Sequence, residues 1–180
     1  MAWTTPTTVD AGEVLTADFW NEQVRDNFAV VRALANVKFD DLTTQFTTSS
    51  TTLTDITGLS VSITPTSTSS KILVTACVSA GMISGVGFLQ LIRGSTEIAK
   101  GSGAPTNNTS ALVYPNATQP CDVYTIRILD EPNTTSATTY KVQTKVNSGG
   151  QTIAINRPGV DAATAVYSSI TVQEIPAAGF

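Results

Sequence analysis

The chain has 180 residues, enough for one hydrophobic core and a small additional segment. Only 13% of the residues are charged, the net charge is −4, and the basic residues are scattered. This balance argues against a nucleic-acid-binding surface, which needs clustered Lys and Arg. Histidine is absent. That absence excludes Ser-His-Asp and Cys-His catalytic sites and zinc sites built on imidazole.

Residues 1–16 form a Thr- and Pro-rich arm, which contains Trp3 and Pro6. We expect this arm to anchor the chain to neighbouring proteins. Trp3 either packs against its own helix or fills a pocket on a neighbour, and the sequence leaves both alternatives open. The arm lacks the basic start and apolar core of a secretory signal, which predicts assembly in a cytoplasm.

An amphipathic helix is predicted between Gly12 and Ala35, with Thr16 as the N-cap and Asp18 in the first turn. Its apolar stripe follows an a/d heptad spacing, which we call the heptad seam. The seam consists of Ala17, Trp20, Val24, Asn27, Val31 and Leu34. A helix of roughly 20 residues is marginal alone in water. Because the remaining sequence predicts only strands, we expect the seam to contact copies of itself.

Asn27 is the polar member of the seam. A buried amide at this d position would fix the register and the number of helices. The alternative is a solvated Asn27 on a helix that packs sideways against the strand domain. Arg25 and Asp26 flank the seam and can pair between chains, although each such pair contributes little.

From residue 43 onward, short alternating or apolar runs are separated by Gly, Pro, Asn and Ser. The predicted strands are Leu59–Ile63, Lys71–Val78, Val86–Ile92, Thr96–Lys100, Asp122–Asp130, Thr139–Val146, Thr152–Ile155 and Val166–Ile175. This pattern predicts a mainly β fold: an N-terminal arm and single helix, residues 1–42, followed by a jelly-roll-like antiparallel β-sandwich, residues 43–180. We interpret residues 37–53, VKFDDLTTQFTTSSTTL, as a connector that leads into the strands.

The longest stretch without strand character runs from Gly101 to Asn116 and is a candidate exposed functional loop. Tyrosine offers a flat face to a sugar ring and amides bind hydroxyl groups, so this loop is a candidate glycan site. Its candidate residues are Asn107, Asn108, Tyr114 and Asn116. The alternative is a turn-rich loop that binds nothing.

Two carboxylate pairs, Asp40–Asp41 and Asp130–Glu131, are the remaining candidates for catalysis, because glycosidases need only two carboxylates. Both pairs lie where we place the ends of elements, which favours capping and turn formation. Cys77 and Cys121 lack a CxxC spacing. We expect them to be buried thiols, although the sequence does not decide whether they pair. The chain also has no phosphate-binding glycine motif and no calcium loop, so no enzymatic activity, cofactor or metal is predicted.

The N-terminal segment resembles the corresponding segment of tail-associated virion proteins of tailed bacteriophages. The matching residues are Trp3, Pro6, Gly12–Glu13, Leu15–Ala17, Trp20–Asn21 and Val24–Asn27. Two further segments are similar, TDITGLSVSITPTSTSSKILV at residues 54–74 and SSITVQEI at residues 168–175. The resemblance covers about half the chain and carries no individual binding residue.

This resemblance implies a structural, non-enzymatic virion protein that is trimeric and lies in a tail fibre or at the tail tip. Its expected partners are two further copies of itself, other virion proteins that contact the arm, and a host-surface glycan. Neither nucleic acid nor membrane insertion is expected. Two alternatives remain: a capsid decoration or head-fibre protein, and a free-standing carbohydrate-binding module. A small glycosidase is a third and less favoured alternative.

Overall fold

The computed structural model describes residues 5, 7–8, 11–14, 16–28, 31, 36–103, 107–115, 121–159 and 163–176. A helical segment comes first, in which α1 (Ala17–Trp20) continues directly as a π-helical stretch, Asn21–Asp26. The strands that follow are β1 (Val37–Leu42), β2 (Phe46–Thr48), β3 (Thr54–Ile63), β4 (Lys71–Met82), β5 (Gly87–Arg93), β6 (Thr96–Ile98), β7 (Ala111–Val113), β8 (Asp122–Asp130), β9 (Thr138–Val146), β10 (Ile153–Ile155) and β11 (Ser168–Ile175).

Strand β4 organises the first sheet, which we call sheet A. Along one edge it pairs with β8, from Ile72 to Ala80. Along the other edge it pairs first with β11 and then, at its end, with β10. Strand β1 continues the sheet beyond β11, and β2 continues it beyond β10. All of these pairings are antiparallel.

The second sheet, sheet B, has the order β3-β9-β5. Strands β6 and β7 share the outer edge of β5, with β6 opposite Leu91–Arg93 and β7 opposite Gly87–Leu89. The ladder between β3 and β9 is irregular between Asp55 and Ser60. A bulge of this kind bends a strand and increases its twist.

The strand order is that of a jelly roll. Three pairs of short strands, β1/β2, β6/β7 and β10/β11, each act as one interrupted strand, which reduces the eleven segments to eight. In that numbering sheet A reads 1-8-3-6 and sheet B reads 2-7-4-5. Two Greek keys folded across a pair of sheets give this arrangement. The predicted fold class, mainly β with a single short helix and a jelly-roll-like antiparallel sandwich, is therefore confirmed.

Asn156 explains why the interruption between β1 and β2 lies beside the interruption between β10 and β11. It is fully buried and has a positive φ of 61°, which ends β10. Its side-chain nitrogen donates to the carbonyl oxygens of Leu42 and Thr44, at the break between β1 and β2. Its side-chain oxygen accepts a hydrogen bond of 2.6 Å from Ser168 Oγ, at the start of β11.

The core lies between the sheets and follows the alternation of the strands. Every second residue of β4, β9 and β11 is buried, as the period of two in a strand requires. The largest fully buried side chains come from both sheets: Tyr140, Ile56, Leu59, Ile63, Ile72, Met82, Leu89, Leu91, Ile153, Ile155 and Ile170. Burying one such aliphatic side chain contributes about 1.5–3 kcal/mol, which makes this alternation the main source of stability.

The sandwich begins earlier than the sequence indicates. We placed the boundary after residue 42 and interpreted residues 37–53 as a connector, yet β1 and β2 are both hydrogen-bonded into sheet A. Val37 and Phe39 of β1 lie on the outer face of sheet A, where Phe39 is 73% exposed. Leu42 is the residue of β1 that is buried in the core. Asp40 and Asp41 accordingly lie within a strand and not at the end of an element.

The connections gather at two opposite ends of the sandwich. At one end, which we call the helix end, lie Asn36, residues 64–70 between β3 and β4, the turn after β5, and residues 131–137 between β8 and β9. At the other, the far end, lie residues 83–86, 147–152 and 114–115. The N-terminal helix therefore joins the sandwich opposite the far-end loops.

Gly159 lies against the end of β4, where a side chain has no space. A Cβ atom at this position would lie 2.6 Å from the carbonyl carbon of Met82 and 2.9 Å from the nitrogen of Ile83. Both are backbone atoms that cannot rotate away. We expect Gly159→Ala to lower the free energy of unfolding by about 1–3 kcal/mol, measured by chemical denaturation.

The matched control is Gly149→Ala, because a Cβ on Gly149 would meet no atom within 4 Å. Its expected change is within about 0.5 kcal/mol. Equal stabilities of the two variants would contradict the packing described for residue 159.

Candidate assembly and binding sites

The helical segment begins as the sequence predicts. Thr16 is the N-cap, and its Oγ1 accepts a hydrogen bond of 3.2 Å from the backbone nitrogen of Phe19. Asp18 lies in the first turn. From Asn21 to Asp26 the helix widens to π geometry, which has more residues in each turn than an α-helix. A spacing of seven residues then no longer returns to the same face.

The members of the heptad seam consequently have different surroundings. Trp20 is 52% exposed and Val31 is 49% exposed, whereas Val24 is half-buried and Asn27 is 6% exposed. Asn27 Nδ2 donates to the carbonyl oxygen of Gln23 at 3.2 Å. Ala17 is exposed, and Leu34 lies outside the described residues.

Two apolar side chains near the seam were not singled out from the sequence. Phe28 is 64% exposed and Val14 is 84% exposed. Within the described residues, neither sheet packs extensively against the helical segment. The apolar side chains of this segment therefore remain accessible to another surface, and self-association through the seam stays a prediction.

One described residue of the arm, Thr7, is hydrogen-bonded to the helical segment. The backbone nitrogen of Thr7 donates to Oε1 of Gln23 at 3.2 Å. The predicted anchoring residues Trp3 and Pro6 lie outside the described residues, so the two alternatives for Trp3 stay open.

A buried carboxylate fixes the point where the N-terminal segment enters the sandwich. Glu174, in β11, is fully buried, and its Oε2 accepts a hydrogen bond of 2.7 Å from Asn36 Nδ2. Its Oε1 accepts from the backbone nitrogen and from the hydroxyl of Thr66, at 2.8 and 2.7 Å. The Glu174 backbone nitrogen in turn donates to the Asn36 carbonyl oxygen at 3.0 Å. Asn36 is therefore held by both its backbone and its side chain.

The charge on Glu174 is stabilised by neutral donors. Burial alone would raise the pKa of this carboxyl, but the nearby hydroxyl of Ser70 and the hydrogen bonds from Thr66 and Asn36 together hold its pKa below the ordinary value of 4.5. The carboxylate is therefore ionised at neutral pH although it is buried. The sequence gives no signal for this group, because Glu174 lies at an inward-facing position of SSITVQEI where the alternation predicts an apolar residue.

A second buried network joins the two sheets at the helix end. Arg93, the last residue of β5, donates from Nη1 to both carboxylate oxygens of Asp130 at 2.9 Å. Tyr140, in β9, donates its hydroxyl to Asp130 Oδ2 at 2.7 Å. Burial, followed by the hydrogen bond to Asp130, raises the pKa of Tyr140. Asp130, the last residue of β8, thus connects sheet A to two strands of sheet B.

This network explains the Asp130–Glu131 pair of the sequence. Asp130 is 7% exposed and is engaged by Arg93 and Tyr140. Glu131 forms a surface ion pair of 2.7 Å with Lys71, which lowers the pKa of the Glu131 carboxyl. Both carboxylates therefore have structural partners.

The candidate receptor loop is divided by a strand. Asn107 is exposed and Asn108 is half-buried, and both precede β7 in the chain. The next residue, Thr109, donates its hydroxyl to the carbonyl oxygen of Leu89 at 2.8 Å. Strand β7 follows, and Tyr114 lies beyond it at the far end, 56% exposed. Asn116 lies outside the described residues, and β7 separates Asn107 and Asn108 from Tyr114 along the chain.

Two exposed apolar side chains on the outer face of sheet A were missed from the sequence. Val123 is 68% exposed and is paired with Ser79 in the sheet. Tyr167 is 65% exposed, and its carbonyl oxygen accepts a hydrogen bond of 2.8 Å from Ser79 Oγ. The alternation of β8, which turns Val123 outward, is the signal that could have identified the first of them.

The described part of the chain contains two cysteines and several carboxylates. Within those residues, no group of His, Cys, Asp or Glu side chains is arranged to hold a metal ion. Cys77 and Cys121 are both free thiols, as expected, but they are only partly buried, so the prediction of buried thiols is wrong in that respect. Burial raises the pKa of Cys121. None of the described helices is long and apolar enough to cross a bilayer.

Comparison with known proteins leaves the family of this chain undetermined. No protein-family model matches the sequence, and no curated protein does. Among solved structures, the chain is similar to VP2 in the crystal structure of an infectious bursal disease virus subviral particle, with 13% identity and a TM-score of 0.33. The alignment covers 78% of this chain and 37% of that one. This superposition is too loose to add to the fold, which rests on the strand order.

The hydroxyl of Tyr140 is expected to stabilise the network around Asp130. Tyr140→Phe removes one donor from a buried carboxylate and leaves the ring in place. A hydrogen bond to a charged group contributes about 1.5–3 kcal/mol, and we expect the free energy of unfolding to fall by that amount. Tyr167→Phe is the matched control, since Tyr167 is exposed, and it is expected to change stability by less than about 0.5 kcal/mol. Equal effects of the two substitutions would contradict the network.

The Glu174 carboxylate is expected to make stability depend on pH. Because its folded pKa lies below its ordinary value, its contribution is present above pH 4.5 and is lost as the pH falls through the folded pKa. Glu174→Gln turns an amide donor toward existing donors and should cost about 1–3 kcal/mol at pH 7. The variant should also lose part of the acid sensitivity of the wild type in denaturation curves measured from pH 7 to pH 3.

Glu131→Gln is the control for this experiment, because it removes a carboxylate from an exposed ion pair. We expect little change in the free energy of unfolding at pH 7, because exposed ion pairs contribute little to stability. A Glu174→Gln protein as stable as Glu131→Gln would show that the buried carboxylate does not hold the junction.

Proposed function

We propose that this chain is a non-enzymatic structural protein of a tailed-phage virion, a homotrimeric component of the tail fibre or tail tip that takes part in host attachment. The observation that carries the proposal is the helical segment, whose exposed apolar side chains its own sandwich leaves uncovered. The resemblance of the same segment to tail-associated virion proteins supports the choice of particle.

The helix needs a partner for physical reasons. Isolated helices of this length are marginal in water, and most helical stability in proteins comes from packing an apolar face. Trp20, Phe28 and Val31 are 52%, 64% and 49% exposed, so three large apolar side chains face solvent in a single chain. Association of three such helices would bury these side chains.

Strand β1 extends the apolar surface from the helix onto the sandwich. Val37 is 43% exposed and Phe39 is 73% exposed, and both lie on the outer face of sheet A directly after the helical segment. A second copy that covers the helix can cover these residues as well. The heads would then contribute to the association.

The two ends of the sandwich have different roles in this proposal. The helix end is joined to the segment that anchors the protein to the particle, and the far end carries exposed side chains such as Tyr114 that can contact the host. Three weak sites on one trimer, repeated on one particle, raise the avidity without strong individual contacts.

Val31→Asp tests the association. A charge within the helical interface is costly to bury, so we expect the trimer to dissociate to monomers in native mass spectrometry and light scattering. Val123→Asp is the matched control: it makes the same substitution at an exposed valine of the sandwich, and the trimer should persist. A wild-type protein that is monomeric at all concentrations would overturn the proposed trimer.

Host attachment is tested separately. Purified wild-type protein should compete with the virion for adsorption to host cells, and the dissociated Val31→Asp protein should compete less well, because it has lost avidity. Antibody labelling of intact virions should place the protein on the tail. Labelling of the capsid would show instead a decoration protein, and a monomer that binds sugar would show a carbohydrate-binding module.

A further inference from the structure

A depression of about 340 Å³ opens at the helix end of the sandwich. The turn after β5 forms one side, and the loop between β8 and β9 with the start of β9 forms the other. Its lining residues are Arg93, Gly94, Pro132, Thr134, Ala137, Thr138 and Thr139. None of them belongs to the helix, to the arm or to the loop from Gly101 to Asn116.

The arginine in this depression is held in one orientation. Nη1 of Arg93 donates to both oxygens of Asp130 and, at 3.0 Å, to the carbonyl oxygen of Glu131. Asp130 is itself fixed by the hydroxyl of Tyr140. Ordering this guanidinium therefore costs little when a ligand binds, because the protein has already ordered it.

Only one of the three guanidinium nitrogens is used by this network. Among the described residues, no hydrogen bond is made by Nε or Nη2 of Arg93, and the side chain is 28% exposed. The N–H groups of Nε and Nη2 lie in one plane and match the two oxygens of a carboxylate. Because Arg93 lines the depression, these two N–H groups can bind the carboxylate of a ligand there.

The rest of the lining is suited to a sugar ring. Thr139 Oγ1 lies 2.7 Å from Ser62 Oγ, and Thr138 donates its hydroxyl to the carbonyl oxygen of Ser136. Both threonine oxygens keep acceptor capacity for the hydroxyl groups of a ligand. Pro132 and Ala137 add apolar surface for the carbon–hydrogen face of a ring. We propose that this depression binds an acidic sugar unit of the uronic-acid type, with its carboxylate on Arg93.

This site does not depend on the proposed trimer. All of its residues lie in one sandwich, so the proposal applies equally to a monomer and a trimer. A failure of either proposal therefore leaves the other standing.

The test uses the full-length, isotope-labelled protein and NMR titration with an oligomer of galacturonic acid. Saturable shifts should appear at the backbone amides of Gly94 and residues 134–139. The neutral galactose oligomer of the same length is the ligand control and should bind at least about ten-fold more weakly, because it lacks the carboxylate.

Arg93→Lys keeps the charge but cannot form the planar pair of hydrogen bonds, so we expect the affinity to fall about ten-fold or more. Ala137→Phe fills the depression from an exposed position without touching the Arg93 network, and should also abolish the shifts. Thermal melts of both variants establish that they are folded. If Arg93→Lys does not fold, the Ala137→Phe protein decides alone.

Three results would overturn the proposal. The first is the absence of saturable shifts with the acidic oligomer, and the second is equal binding of the neutral oligomer. The third is tighter binding of a glutamate-rich peptide than of the sugar acid, since that result would identify the depression as a contact for the carboxylates of a partner protein.

Discussion

Strand β4 is hydrogen-bonded along both edges, and every second side chain from Ile72 to Met82 is buried between the sheets. This constraint determines much of the rest of the molecule. A slip of β4 by one residue would exchange its two faces, so its pairing register is strongly specified. The registers of β8, β10 and β11 then follow from contact with β4, and the ends of these strands place Asp130 and Glu174 at the helix end.

Two buried carboxylates at that end have different partners and different effects. Asp130 pairs with a cation, and its network joins sheet A to sheet B. Glu174 is held by neutral donors from the β3–β4 loop and from Asn36, and it fixes the entry of the N-terminal segment. Removing a partner from a buried charge is costly in both cases. The same end therefore combines the closure of the sandwich with the attachment of the helix.

The sequence predicted the parts of the fold that alternate cleanly. Strand β8 has the predicted bounds, and β9 and β11 differ from prediction by one or two residues, because their buried positions recur at every second residue. Strand β1 escaped prediction since its apolar residues Val37 and Phe39 face outward. The network of Arg93, Asp130 and Tyr140 could not be predicted from the sequence. Arg93 lies 37 residues from Asp130 and still farther from Tyr140, and the three side chains come together only because their strands pair in two packed sheets. The heptad seam depends on a uniform helix, and the π-helical stretch alters its spacing.

The attachment of the helix to the start of β1 has a mechanical consequence. Strand β1 pairs antiparallel with β11 over six residues, from Val37 to Leu42. At the helix end of this ladder Asn36 is hydrogen-bonded to Glu174. Tension transmitted from the particle through residue 36 would run along the strand axis. All the hydrogen bonds between β1 and β11 would then be loaded in shear together, and they would not break one after another. Resistance to pulling is governed by the rate of unfolding, so this geometry favours a head that stays folded under load.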